Sequence, residues 1–168
     1  MSASFNSTDT SPNRSAAAPL SAPLYGASIK QAVQRFFAKY ATFSGRASRS
    51  EYWWWTLVSF LVVAVLYAVF FAGMTPTTTT LSSGETTTVP MPGALSVVAG
   101  ILLAIWGLAV LVPGLALTVR RLHDGNVSGW MILLGLIPFV GGLIILVLTL
   151  LPSNPQGQRF DEGSGYRA

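Results

Sequence analysis

Charged side chains gather at three places in this sequence: Arg46, Arg49 and Glu51; Arg120, Arg121, His123 and Asp124; and Arg159 with Asp161 and Glu162. A guanidinium is a planar fork that meets carboxylate or phosphate oxygens two at a time. Three chemistries suit such a set. Opposite charges can pair within the protein, Asp124 with Arg46 or Arg49, and Glu51 with Arg120 or Arg121. The arginines can instead hold an anionic headgroup or a membrane partner. His123 and Asp124 can serve acid–base chemistry. Neighbours in sequence do not face each other on a helix, however, which sets catalysis behind pairing and binding.

Several other chemistries are excluded. The chain has no cysteine, so disulfides, thiolate metal sites and cysteine nucleophiles are ruled out. One histidine and six carboxylates are poor material for a metal centre. No cofactor is expected, and the protein is read as non-enzymatic.

The elements that position these charges are apolar. Tyr52–Gly73, Ala94–Val119 and Gly129–Leu151 contain no charged residue. About 20 apolar residues carry a helix across a hydrocarbon core of about 30 Å, and each run is long enough. Only 10% of the 168 residues are charged, against roughly 25% in soluble domains. The expected fold is an all-α integral membrane protein: an interfacial amphipathic helix over 29–44, then packed transmembrane helices over about 52–73, 94–119 and 130–151. Residues 1–27 read as a disordered Ser/Ala/Pro tail without the apolar core of a signal peptide, and 161–168 as a short tail.

Ser28 with Gln31, and Ser48 with Glu51, are capping-box pairs that sign two helix starts. Between them Ile29, Ala32, Val33, Phe36, Phe37, Tyr40 and Phe43 fall on one helix face, with Lys30, Gln34, Arg35 and Lys39 on the other. That pattern suits a helix lying in the membrane interface. Trp53, Trp54, Trp55 and Trp130 are expected as anchors at headgroup depth. Gly93, Gly100, Gly107 and Gly114 recur every seventh residue, as do Ser128, Gly135, Gly142 and Thr149. A seven-residue step drifts only about 20° around a helix. Both stripes therefore predict grooves for close helix packing. Residues 74–93 read as a polar, flexible, Thr-rich loop.

Six of the ten basic residues precede the first span, and none lies in the first loop. The positive-inside rule then places the N-terminus in the cytoplasm and residues 74–93 outside. Pro138, Gly141 and Gly142 interrupt the third run. A kinked full span is expected there; the alternative is a re-entrant hairpin that returns the tail to the cytoplasm. Net charge is +4 and the pI about 9.9. The basic residues flank spans and no nucleic-acid motif accompanies them, so anionic lipid is the expected partner and nucleic acid is not. The spans hold no Asp, Glu, Lys, Arg or His, which argues against a coupled transporter. An oligomeric pore or transport component is the alternative function, and a homo-oligomer or another membrane protein an alternative partner.

Phe43-Ser-Gly45-Arg46-Ala-Ser48-Arg49-Ser-Glu51-Tyr52-Trp53 resembles the opening motif of the domain-of-unknown-function 805 family, the YhaH-like small bacterial inner-membrane proteins. Arg120-Arg121-Leu122-His123-Asp124 with Ser128-Gly129-Trp130 is similar to its second motif. Pro138-Phe139-Val-Gly141 and Pro152…Asn154-Pro155…Arg159-Phe160 are similar to its end. The resemblance implies a bacterial inner-membrane helical domain. It implies no activity and no catalytic residues, and directs attention to Arg46, Arg49, Glu51, Arg121, His123 and Asp124.

Overall fold

The computed structural model describes residues 20 and 22–161. Most of the expected disordered tail, and all of the last one beyond Asp161, lie outside the described residues.

Helix α1 spans Ile29–Ala38, opened by the reciprocal Ser28–Gln31 cap. It is shorter than the 29–44 expected. Helix α2 spans Arg49–Ala72 and opens on the Ser48–Glu51 capping box. Helix α3 spans Ala94–Asp124. At 1.5 Å per residue the two are about 36 and 46 Å long, and both are long and apolar enough to cross a membrane. Large side chains on their flanks face outward, Leu108 with 72% of its surface exposed. Such a surface is tolerable where the surrounding medium is itself apolar.

Residues 74–93 are not a flexible loop. Strand β1, Met74–Thr80, pairs antiparallel with β2, Thr86–Pro92, with Thr77 opposite Val89. Gly84 turns the ribbon at φ +83°, a conformation open to glycine. At its base α2 and α3 nearly touch. A Cβ on Gly73 would lie 2.5 Å from the Ser96 nitrogen, and the Ser96 hydroxyl donates to the Phe70 carbonyl at 2.7 Å.

The core lies at the other end, where α1 crosses the pair. Phe36 stacks on Trp55 with centroids 3.4 Å apart, and Trp106 lies behind Trp55 at 6.1 Å. Leu117 and Ala47 close the cluster. Trp55 is thus 5% exposed and a core residue rather than an interface anchor. Trp54 and Trp130 are exposed and Trp53 half-buried. Pro113 sits inside α3 and has no N–H to give to Ala109. The Tyr40 hydroxyl of the segment after α1 donates to that Ala109 carbonyl at 3.1 Å.

The third apolar run is not one span-length helix. A 3-10 helix, Gly129–Leu136, is followed by α4, Val140–Leu150, running back beside it. Each arm is only about 16 Å long by its rise per residue. Phe139, at φ +63° and 98% exposed, forms the tip. The turn satisfies itself: Val140 N–H donates to the Pro138 carbonyl and Gly141 N–H to that of Ile137. A Cβ on Gly141 would fall 1.7 Å from the Leu134 carbonyl oxygen, so only glycine lets the arms close. Both feet of the hairpin rest on the carboxyl end of α3: Gly129 against Val119 and His123, and Leu151 under Arg121. A hairpin takes the place of the expected kinked full span: Pro138 and Phe139, the latter at positive φ, separate the 3-10 helix from α4, and Gly141 lets the arms close.

The seven-residue stripes line up only in part. Gly100 meets the Phe70 ring at 3.6 Å and Gly135 meets Ile145 at 3.1 Å. At Gly107, Gly114 and Gly142 a Cβ would find nothing within 4 Å.

Candidate functional site

The charged residues converge where α1, the amino end of α2, the carboxyl end of α3 and the hairpin feet meet. Backbone bonds fix the frame. Ala47 N–H donates to the Arg120 carbonyl, Gly45 N–H to that of Phe160, and Asn154 N–H to that of Asp124. A 3-10 helix, Pro155–Phe160, lies across this end. Gly157 comes so close that a Cβ would sit 2.4 Å from the His123 carbonyl.

Asp124 is fully buried and surrounded by donors. Arg121 Nη1 reaches it at 2.6 Å, the Tyr25 hydroxyl at 3.1 Å, and the Ser153 hydroxyl also donates to it. Arg46 Nη1 stands 4.0 Å away. Arg46 spends its stronger bonds on Asp161, at 3.0 Å through Nε and 2.7 Å through Nη2. The expected Asp124–Arg46 pair is therefore present but loose, and Arg121 is the principal partner. Arg49 does not pair with Asp124. It donates to the Leu150 and Leu151 carbonyls at 2.9 and 3.1 Å, while Arg121 Nε takes that of Thr149 at 2.9 Å. A helix leaves its last four carbonyls without partners, and cations suit that end. Two arginines thus cap α4.

Glu51 does not pair with Arg120 or Arg121 either. Its partner is Arg35, across the α1–α2 contact. Its other oxygen accepts from Ser48 N–H at 2.9 Å and Leu24 N–H at 3.2 Å. Arg35 and Lys39 were expected on the face of α1 opposite its apolar stripe; both are buried against the protein together with Ala32 and Phe36, whereas Ile29, Phe37, Tyr40 and Phe43 are exposed. Residues 22–27 join the site as a strap. Besides the Leu24 bond, the Leu24 carbonyl accepts from the Ser48 hydroxyl at 2.6 Å and Ala27 N–H donates to the Ser50 hydroxyl at 2.9 Å. The tail boundary at residue 27 is accordingly too late.

His123 and Asp124 do not form a dyad. His123 stacks on Phe160 at 4.0 Å, with Nδ1 3.2 Å from the Gly45 carbonyl. A cavity of about 580 Å³ opens beside it, lined by Phe43, Val119, His123, Trp130, Leu133 and Phe160 among others.

Lys39 and Arg120 stand apart. Arg120 is 1% exposed; its Nε donates to the Ala116 carbonyl of its own helix at 3.2 Å, and its Nη2 has no partner. Burial, with Arg35 and Arg120 nearby, pushes the Lys39 ammonium down to about 8. Sequence reasoning missed Lys39, Arg35, Tyr25 and Ser153 as site residues. For Arg35 and Lys39 the signal was visible: an i, i+4 basic pair beside Phe36, with Glu51 shortly after.

Residues 40–162 match the family described as "Protein of unknown function (DUF805)". The chain belongs to that family. The inner membrane protein YhaI of Escherichia coli K12 is 34% identical over 129 residues, 72% of this chain and 84% of that protein. The inner membrane protein YhaH of the same strain is 48% identical over 61 residues, 36% of this chain. The chain spans about half the length of YhaH in that match. No solved structure matches it. Both relatives are named inner membrane proteins, and this chain has two helices long and apolar enough to cross a membrane.

Proposed function

We propose that this chain is a non-enzymatic, multi-pass membrane module that binds anionic lipid at its charged end, with that end and the N-terminus in the cytoplasm. The observation that carries this reading is a charge imbalance. Lys30, Arg35, Lys39, Arg46, Arg49, Arg120, Arg121 and Arg159 meet only Glu51, Asp124 and Asp161 there, eight cations against three carboxylates among the described residues. Five positive charges in excess, beside exposed Trp54 and Trp130, fit the anionic cytoplasmic leaflet. The outward apolar side chains of α1 fit a helix sunk in the interface. The hairpin of the third run, with arms of about half a bilayer, fits a re-entrant element. Open backbone at Gly107 and Gly114 favours a second reading, in which another copy of the chain packs on α3 to form an oligomeric pore or transport component.

Arg46, Arg120 and Arg121 are buried, so changing them tests folding as much as binding. The exposed cations are the cleaner probe. Native mass spectrometry of protein released from mixed phosphatidylcholine–phosphatidylglycerol nanodiscs reads bound lipid and subunit number together. With about 1 kcal/mol per charge at the surface, Lys30→Gln, Arg49→Gln and Arg159→Gln combined should weaken phosphatidylglycerol retention on the order of a hundredfold. Unchanged retention overturns the lipid reading, and a defined oligomer without bound lipid moves the weight to the pore.

A further inference from the structure

Glu51, Arg35 and Arg120 are the charges that act most strongly on Lys39, where α1 meets α3. Glu51 is already engaged by Arg35, Ser48 and Leu24. Asp161 acts on Lys39 only at a distance and is bound bidentately by Arg46. Lys39, 4% exposed, makes no hydrogen bond among the described residues, and Arg120 Nη2 makes none. A buried charge without partner or hydrogen bond costs several kcal/mol. Arginine cannot shed its proton. The fold therefore holds more positive charge here than Glu51 offsets, and leaves Arg120 Nη2 without a bond.

We propose that Lys39 and Arg120 form a phosphate-binding site between α1 and the end of α3, which takes the phosphate group of an anionic lipid or free inorganic phosphate. Phosphate supplies what the site lacks: negative charge and several acceptor oxygens for one guanidinium edge and one ammonium. The four-carbon stem of Lys39 has no hydrogen bond to break, so it can swing out and admit the anion to Arg120 Nη2. Lys39 also sits next to exposed Tyr40 and near Phe43, at the edge where the apolar side of this segment meets headgroups. The site deepens the lipid-binding reading without depending on the exposed cations that carry it.

The chain has two lysines, Lys30 and Lys39, which makes the site readable by amine labelling. Lys30 is exposed and serves as the internal standard. The full chain, in chloride buffer at pH 8, is acetylated in nanodiscs of pure phosphatidylcholine, of phosphatidylcholine with phosphatidylglycerol, and of pure phosphatidylcholine with inorganic phosphate. At pH 8 about half of the Lys39 amines are unprotonated, and a bound anion that raises the pKa by one unit lowers that reactive fraction about fivefold, so a comparable slowing at Lys39 relative to Lys30 is expected. Slowing by phosphatidylglycerol alone identifies a lipid site; slowing by inorganic phosphate identifies a free-phosphate site. Arg120→Gln should abolish either effect. Equal Lys39 rates in all three preparations of the unaltered protein overturn the proposal, whatever the variant does. If lipid is retained in mass spectrometry while Lys39 stays unprotected, the site fails and the general lipid reading stands.

Discussion

Lys39 shows the cost of burying a cation among other cations. Its pKa is about 8 in the protein against 10.5 as a free side chain. Below pH 8 both folded and unfolded chains carry the proton, and the full penalty applies. Between pH 8 and 10.5 the folded state releases its proton first and the penalty fades; above that range it is gone. Lys39→Met should therefore stabilise the protein in zwitterionic detergent, by about 1–4 kcal/mol on the scale found when buried ionic groups are replaced by apolar ones. Thermal unfolding followed by tryptophan fluorescence should show that gain at pH 7 and a shrinking gain toward pH 10. A loss at pH 7 would mean that Lys39 has a stabilising partner. The two faces of α1 were legible in the sequence, but their orientation was not. In water the apolar stripe turns inward. Here Arg35 and Lys39 turn inward toward Glu51 alongside Ala32 and Phe36, and Ile29 and Phe37 are left outside.

At the scale of elements, helix starts were the most readable feature, because a capping box is a local contract between a serine and the residue three positions on. Both such boxes form as expected. The ribbon was missed although Thr77–Thr80 and Thr86–Thr88 are β-branched runs flanking a Ser-Ser-Gly turn, a pattern that favours paired strands. The seven-residue spacing drew attention to Gly142, whereas its neighbour Gly141 decides the hairpin. Two substitutions one residue apart separate these claims. Gly141→Ala would drive a methyl into the Leu134 carbonyl and should cost about 1–3 kcal/mol or prevent folding, as overpacking does. Gly142→Ala meets open space and should be neutral or stabilising by up to about 1 kcal/mol, because alanine favours helix. Equal thermal midpoints for the two variants would contradict the hairpin geometry.

For the whole molecule, the membrane reading proposed above makes each of the two span-length helices one crossing and the hairpin, whose feet share one end, none, an even number. Both tails are then expected in the cytoplasm. Alkaline phosphatase fused after Asp161 should be inactive and green fluorescent protein at the same point bright, as for fusions at the amino end. Active phosphatase at the carboxyl end would restore a third full span. Run lengths alone could not decide between these topologies, since 22 apolar residues satisfy either. The charged hub was legible as a gathering of residues, because topology forces the loops of one side together. Its pairings were not, since they depend on how α1 and the strap from residue 22 lie across the helix ends.

The bond from Tyr40 to the carbonyl that Pro113 leaves open has a consequence for descent. Neither residue is useful alone. A proline there without the hydroxyl leaves the Ala109 carbonyl without that donor, and the hydroxyl without the proline meets a carbonyl its own helix can satisfy. The two positions lie 73 residues apart in the chain, yet they should be inherited as one trait. Lineages that lose the ring should be those free to trade tyrosine for phenylalanine.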